Sequence, residues 1–309
     1  MEPAPPYGQA AERPRHWVVA GGLATSALTL LGVHWLAANT DFHVMGWYLN
    51  YVIPAGALIA GIVAGSGYGI VSWWKSVKIT RELLWLVVAL LLGAYFAARY
   101  VEFRQLELQH EDGTAVDFVS YLDWAARSFA WTQKDGSPGE PLGLWGYAFN
   151  LLELAGFAAG GLVIPGVLRG HPYCEGCQLY LRRKSLGLLP AGVVARKVKK
   201  RDDTGRAAYE AERAEAWARG QALLAELVGS VSAGRAADAT RLLEIHAGRQ
   251  KEYAKLERRI ELRLATCRAC RTGHLEAAAL QGLGDKAQKT PLGHWNVEAG
   301  FVADFLRGF

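Results

Sequence analysis

Residues 150–177 read NLLELAGFAAGGLVIPGVLRGHPYCEGC. An apolar run interrupted by Asn150 and Glu153 continues to Leu168, meets Arg169, and reaches the pair Cys174 and Cys177 within a few residues. A helix rising 1.5 Å per residue needs about 20 residues to cross ~30 Å of hydrocarbon, and residues 142–168 supply that length. The chain therefore changes solvent near residues 169–172: a lipid-compatible part ends there and an aqueous part begins.

Working back toward the N-terminus, three more apolar runs cover 17–39, 47–74 and 83–103. Aromatic residues that favour the headgroup level flank them, among them Trp17, Trp47, Tyr48, Trp73, Trp74, Trp145 and Tyr147. The expected organisation is a polar leader over 1–16, a four-span transmembrane domain over 17–171 with an external loop at 104–140, and a cytosolic domain over 172–309. The first run follows that leader and exceeds a signal-peptide core in length, so it reads as a retained anchor.

Charge assigns the sides. Residues 1–171 carry ten Lys/Arg against thirteen Asp/Glu, and residues 172–309 carry twenty-four against sixteen. Lys75, Lys78 and Arg81 join Arg13, Arg15 and Arg169 on one side of the spans, whereas 40–46 has no Lys or Arg and 104–140 is acidic. Basic connections stay inside, which places both termini in the cytoplasm of a plasma (inner) membrane protein. Within the outer loop, Phe118, Leu122, Ala125 and Phe129 recur at helical spacing behind a Thr114-x-x-Asp117 capping pattern. That stretch reads as a helix on the membrane surface or over the bundle mouth, with packing against the spans favoured over a substrate lid.

Inside the spans, Gly61, Gly65 and Gly69 repeat every fourth residue, as do Gly156 and Gly160. Such rows let helix backbones approach, here within one bundle in preference to a homo-oligomer seam. A charge in hydrocarbon costs at least ~2.5–3.5 kcal/mol on insertion scales, so Glu153 needs a partner. The topology puts Arg99, His34, Asn150 and Asn50 in the same leaflet. A Glu153–Arg99 ion pair fixing helix register is the favoured reading, and a polar pocket for a proton, cation or head group is the alternative.

All four cysteines of the chain lie in two C-x-x-C pairs, Cys174/Cys177 and Cys267/Cys270. Paired thiols in a reducing compartment are more often metal ligands than disulfides, and four thiolates fill a tetrahedral shell. Neither pair is followed by His, which sets aside haem attachment, and no βαβ context supports a dithiol redox motif. One zinc ion per chain is the expected cofactor, with a rubredoxin-like iron as the second choice.

Some 89 residues separate the pairs. Residues 206–229 and 235–266 read as an antiparallel helical hairpin, broken at 229–234, with Trp217, Leu224 and Val228 along one arm and Tyr253, Leu256, Ile260 and Leu264 along the other. Arms of ~36 and ~48 Å would return the chain to its start.

Tyr173-Cys174-Glu175-Gly176-Cys177-Gln178-Leu179-Tyr180 and Cys267-Arg268-Ala269-Cys270-Arg271-Thr272-Gly273-His274-Leu275 resemble the two halves of a four-cysteine zinc ribbon, each knuckle followed by a short strand at 179–182 or 274–278. The whole chain resembles uncharacterised bacterial four-span membrane proteins with a cytosolic zinc ribbon, and that resemblance implies no activity. The expected fold class is thus mainly α: a four-helix transmembrane bundle plus a ribbon-like element with an inserted helical hairpin at about 206–266.

Between the first knuckle and that hairpin, Arg182, Arg183, Lys184, Arg196, Lys197, Lys199, Lys200 and Arg201 form a basic strip without acids. Next to a membrane such a strip attracts anionic lipid head groups at ~1 kcal/mol per charge. Nucleic acid is disfavoured because no aromatic stacking platform accompanies the charges. No catalytic constellation such as Ser-His-Asp, a phosphate loop or H-E-x-x-H occurs, so the expectation is a non-enzymatic anchor with a cytosolic protein partner.

Overall fold

The computed structural model describes residues 15–40, 44–50, 52–106, 108–109, 114–130, 139–196, 199, 202–249, 251–283 and 287–308. Two compact units divide at the junction between His171 and Pro172.

In the first unit, α1 (His16–Thr40), α2 (Ala55–Lys75), α3 (Arg81–Leu106) and α5 (Trp145–Arg169) are long and apolar enough to cross a membrane, and α4 (Phe118–Arg127) is a short helix between α3 and α5. Their outward faces carry Leu28, Leu31, Trp35, Ile70, Trp74, Trp85, Leu151 and Val167, all exposed. A water-soluble bundle would turn such side chains inward; here lipid is the solvent that suits them. The second span begins at Ala55, eight residues later than the sequence reading placed it. Leu49 and Ile53 bridge to each other ahead of Pro54, and Asn50 sits at φ 51, so the segment carrying Trp47 and Tyr48 is a turn.

Helix α2 is central, and its glycines explain how. A Cβ on Gly61 would lie 2.0 Å from Phe157 O, one on Gly65 2.0 Å from Gly161 O, and one on Gly160 2.1 Å from Leu58 O. The two glycine rows therefore face each other across α2 and α5, and they serve packing inside the bundle. On its other side α2 meets α1, where the Thr25 hydroxyl donates to Ala64 O at 2.8 Å. Gly65→Leu is expected to cost about 3 kcal/mol or more, because the obstacle is backbone that cannot rotate away. Gly93→Ala, whose Cβ meets nothing within 4 Å, is the control. Thermal unfolding in detergent should separate the two clearly.

The second unit opens with a two-stranded hairpin, β1 (Tyr173–Cys174) and β2 (Leu179–Tyr180). A four-stranded antiparallel sheet follows in the order β3 (Arg182–Pro190), β4 (Arg258–Thr266), β5 (Gly273–Gln281) and β6 (Gln288–Val297). Between β3 and β4 lie α6 (Asp203–Ser232) and α7 (Ala236–His246), and α8 (Ala299–Gly308) follows β6. Leu224, Leu227 and Val231 of α6, Leu242 and Leu243 of α7, and Phe301 and Phe305 of α8 bury one sheet face with Ile260, Leu262, Leu264 and Leu275. The other face is charged, with Arg183 bound to Glu276 and Arg263 to Glu261.

The second arm of the expected helical hairpin is thus not a helix beyond His246. Residues 258–266 form a strand, because Ile260, Leu262 and Leu264 alternate inward and the segment pairs along its length with strands on both sides. Buried Arg259 is part of the same solution: its guanidinium donates to the carbonyls of Tyr253, Ala254 and Leu256, holding the turn that precedes β4. What returns the chain to the first knuckle is therefore strand pairing, with Arg182 opposite Thr266.

Candidate functional site

The first site is built by two hairpins. Cys174 ends β1 and Cys177 lies in the turn to β2, while Cys267 and Cys270 lie in the turn between β4 and β5. Each C-x-x-C is followed by a residue in the left-handed region, Gln178 at φ 50 and Arg271 at φ 59, which turns the chain sharply after the second sulfur. In the second turn Arg271 N donates to Cys267 O at 3.0 Å and Cys267 N to Thr272 O at 2.8 Å. Leu179, Leu181 and Ala265 pack around Cys267 as a small separate core.

All four Sγ atoms lie within 4.8 Å of one another, and Cys174 and Cys270 are 3.7 Å apart. A tetrahedron of thiolates ~2.3 Å from a central ion has edges of about 3.8 Å, whereas a disulfide would need ~2.05 Å. The cysteines are free thiols grouped so that they can hold a metal ion. Burial, reinforced by the neighbouring sulfurs, raises Cys177 to about 12, and burial likewise raises Cys174. At Cys270 burial is outweighed by hydrogen bonds from the Thr272 hydroxyl, 2.9 Å away, and the Thr272 backbone, bringing it to about 6. Crowded sulfurs that resist ionising together are the donor set a divalent cation suits, since its charge offsets theirs.

The second site lies in the membrane unit. Arg99 of α3 binds Glu153 of α5, and both are shielded, their side chains 19% and 3% exposed. The Tyr95 hydroxyl sits between them, 3.4 Å from Glu153 Oε2, and Arg99 Nη1 reaches Glu102 Oε2 at 3.1 Å. Beside this network opens a cavity of about 690 Å³ lined from α1, α3, α4, α5 and the turn at 44–46. Helix α4 closes one side of it through Tyr121, Trp124 and Ala125. Its N-cap is Asp117, which accepts from Val119 N and Ser120 N, so the cap is Asp117 itself rather than Thr114.

Of the polar residues expected together, Glu153, Arg99, His34 and Asn150 line this cavity. Asn50 does not: it belongs to the turn before α2, not to a helix, and is absent from the lining. Sequence reasoning missed Tyr95, Glu102 and Gln105. With Arg99 they stand at spacings of four, three and three, a polar stripe on an otherwise apolar helix, and that periodicity was the available signal.

The basic strip is divided by the fold. Arg182, Arg183 and Lys184 begin β3, whose later residues Leu186, Leu188 and Leu189 are buried. Arg196 lies past the strand, stacked 4.8 Å over Tyr209 and bound to Glu212. Lys199 is exposed, and Lys197, Lys200 and Arg201 lie outside the described residues. Among the described residues of the strip, Arg183 is likewise held by a carboxylate, that of Glu276.

No protein-family model, curated protein or solved structure matches this chain. Its class is set by its own geometry: a mainly helical protein with four helices long and apolar enough to cross a membrane and a four-cysteine cluster that could hold a metal ion.

Proposed function

We propose that this is a multi-pass bacterial inner-membrane protein whose cytosolic unit is stapled by one structural zinc ion and serves protein interaction or regulation. The observation that carries this reading is the grouping of four sulfurs, from turns separated by most of the soluble unit, within 4.8 Å. Zinc is the usual ion for four thiolates, and a shell filled by protein leaves no position for a substrate, which favours a structural over a catalytic role. The two knuckles correspond to a zinc ribbon whose halves are separated by β3, α6 and α7 and rejoined by β4. Among the described residues no Ser-His-Asp, phosphate-loop or H-E-x-x-H arrangement accompanies the cluster, and the protein is proposed to act by binding a cytosolic partner.

Two measurements test this. Elemental analysis of the purified chain should find about one zinc per polypeptide, a closed tetrathiolate site being stoichiometric; a chain free of zinc and iron would end the proposal. Reporter fusions at residues 45, 78, 125 and 309 should alternate outside, inside, outside, inside. An external C-terminus would put the cysteines in an oxidising compartment and defeat the zinc reading.

A transport role for the membrane unit is the second reading, favoured by the cavity beside Glu153. Against it, Glu153 is held by Arg99 and Tyr95, which suits a packing role.

A further inference from the structure

The cavity of the membrane unit has a charge that its own walls do not balance. Among the described residues lining it, Glu102 and Glu153 are acidic and Arg99 alone is a permanent cation. Gln105 Nε2 lies 2.8 Å from His34 Nε2. Arg99 lies nearest Glu153, which it shares with Tyr95. Glu102 accepts from Arg99 Nη1 and from the Tyr121 hydroxyl and is 45% exposed, so the surplus negative charge sits on the carboxylate that a visitor can reach.

Apart from Gln105, Ser128 and Asn150, the remaining walls are apolar and aromatic. Leu30, Val33 and Ala37 of α1 form one side, and Tyr121 and Trp124 of α4 with Phe129 form another. At about 690 Å³ the space is within the range that holds a small organic molecule. A bare metal ion would leave most of it unfilled and would find few oxygen ligands. Indole and phenol faces attract organic cations, most strongly where water is excluded.

We propose that this chamber binds a lipophilic organic cation, its charge set against Glu102 among the rings of Tyr121 and Trp124 and its apolar body along α1. This site is independent of the cysteine cluster and of the role proposed for the soluble unit.

Two ions of the same shape and opposite charge provide the test. The full chain, purified in dodecyl maltoside, is dialysed to equilibrium against tetraphenylphosphonium or tetraphenylborate, with protein-free micelles as the baseline. Saturable uptake of the phosphonium and none of the borate is expected. Glu102→Gln should weaken phosphonium binding by at least about tenfold. Ala125→Phe, which fills the chamber without touching a charge, should do the same. Thermal unfolding of both variants is measured alongside, and the Ala125 variant serves should loss of the Glu102 contact unsettle the bundle. Equal uptake of both ions, or phosphonium uptake unchanged in folded variants, would overturn the proposal and leave the chamber to acyl chains.

Discussion

Replacing Cys270 with serine is expected to lower bound metal from about one ion per chain to less than about a tenth of that, and Cys174→Ser should do the same. Outer-shell changes around metal sites already cost 10–100-fold in affinity, and loss of a direct ligand costs more. The equivalence of the two substitutions is the stronger claim. It follows from Sγ atoms of both pairs lying together, Cys174 being 3.7 Å from Cys270 across the hairpins. The structural effect should be graded along the unit. Leu179, Leu181, Ala265 and Cys267 form a core distinct from the helix-covered sheet, so they lose their staple while the larger core keeps its own. Hydrogen exchange should therefore accelerate at the amides of Leu181, Cys267 and Arg271, which bond within or beside the knuckles. The amides of Ile260 and Leu262, inside the sheet, should stay protected. A Cys174→Ser protein that kept its full metal content while Cys270→Ser lost it would show that the pairs do not share an ion.

How much of this was legible in the sequence depended on whether local pattern or distant pairing decided each element. Span length and apolarity are local, and all four membrane helices were readable from them. The glycine rows of α2 and α5 were readable too, because only close backbone approach rewards glycine at every fourth position. The strand β4 was not. Ile260 and Leu264 fit a helical stripe with Tyr253 and Leu256, and with Leu262 they equally fit an alternating strand. The tie was broken by β3, far away in sequence, and by β5, which was legible only as a short strand over 274–278. Strand β6 was obscured in another way: Pro291 lacks an N–H for a ladder, yet it sits on the edge strand beside the register shift at Ala277 and Ala278, where none is required. At the membrane site, charge rarity pointed to Glu153 and Arg99, while the cavity next to them arises from where α4 folds back, which no local pattern encodes.

Arg99 and Glu153 give the second large effect. Each is shielded by protein, so Glu153→Leu leaves a guanidinium with Glu102 at one edge and the neutral Tyr95 hydroxyl, in place of a charge, at the other. Removing one member of a buried pair typically costs 3–5 kcal/mol, because the remaining charge stays desolvated. Arg99→Met should be at least as damaging, since it strands the 3%-exposed carboxylate with the neutral phenols of Tyr95 and Tyr48 and no cation. Replacing both residues together removes the two desolvation costs at once, and apolar side chains of similar length are expected to recover much of the lost stability. Thermal unfolding in detergent of the two single variants and the double variant forms a cycle that isolates this coupling. If Glu153 instead carries a proton or ion across the membrane, Glu153→Gln should fold normally and abolish a flux in reconstituted vesicles. The cycle and the flux assay thus point in opposite directions. A double variant no more stable than either single one, together with loss of flux, would reject packing as the role of the pair; recovery in the double variant, with no flux to lose, is the expected result.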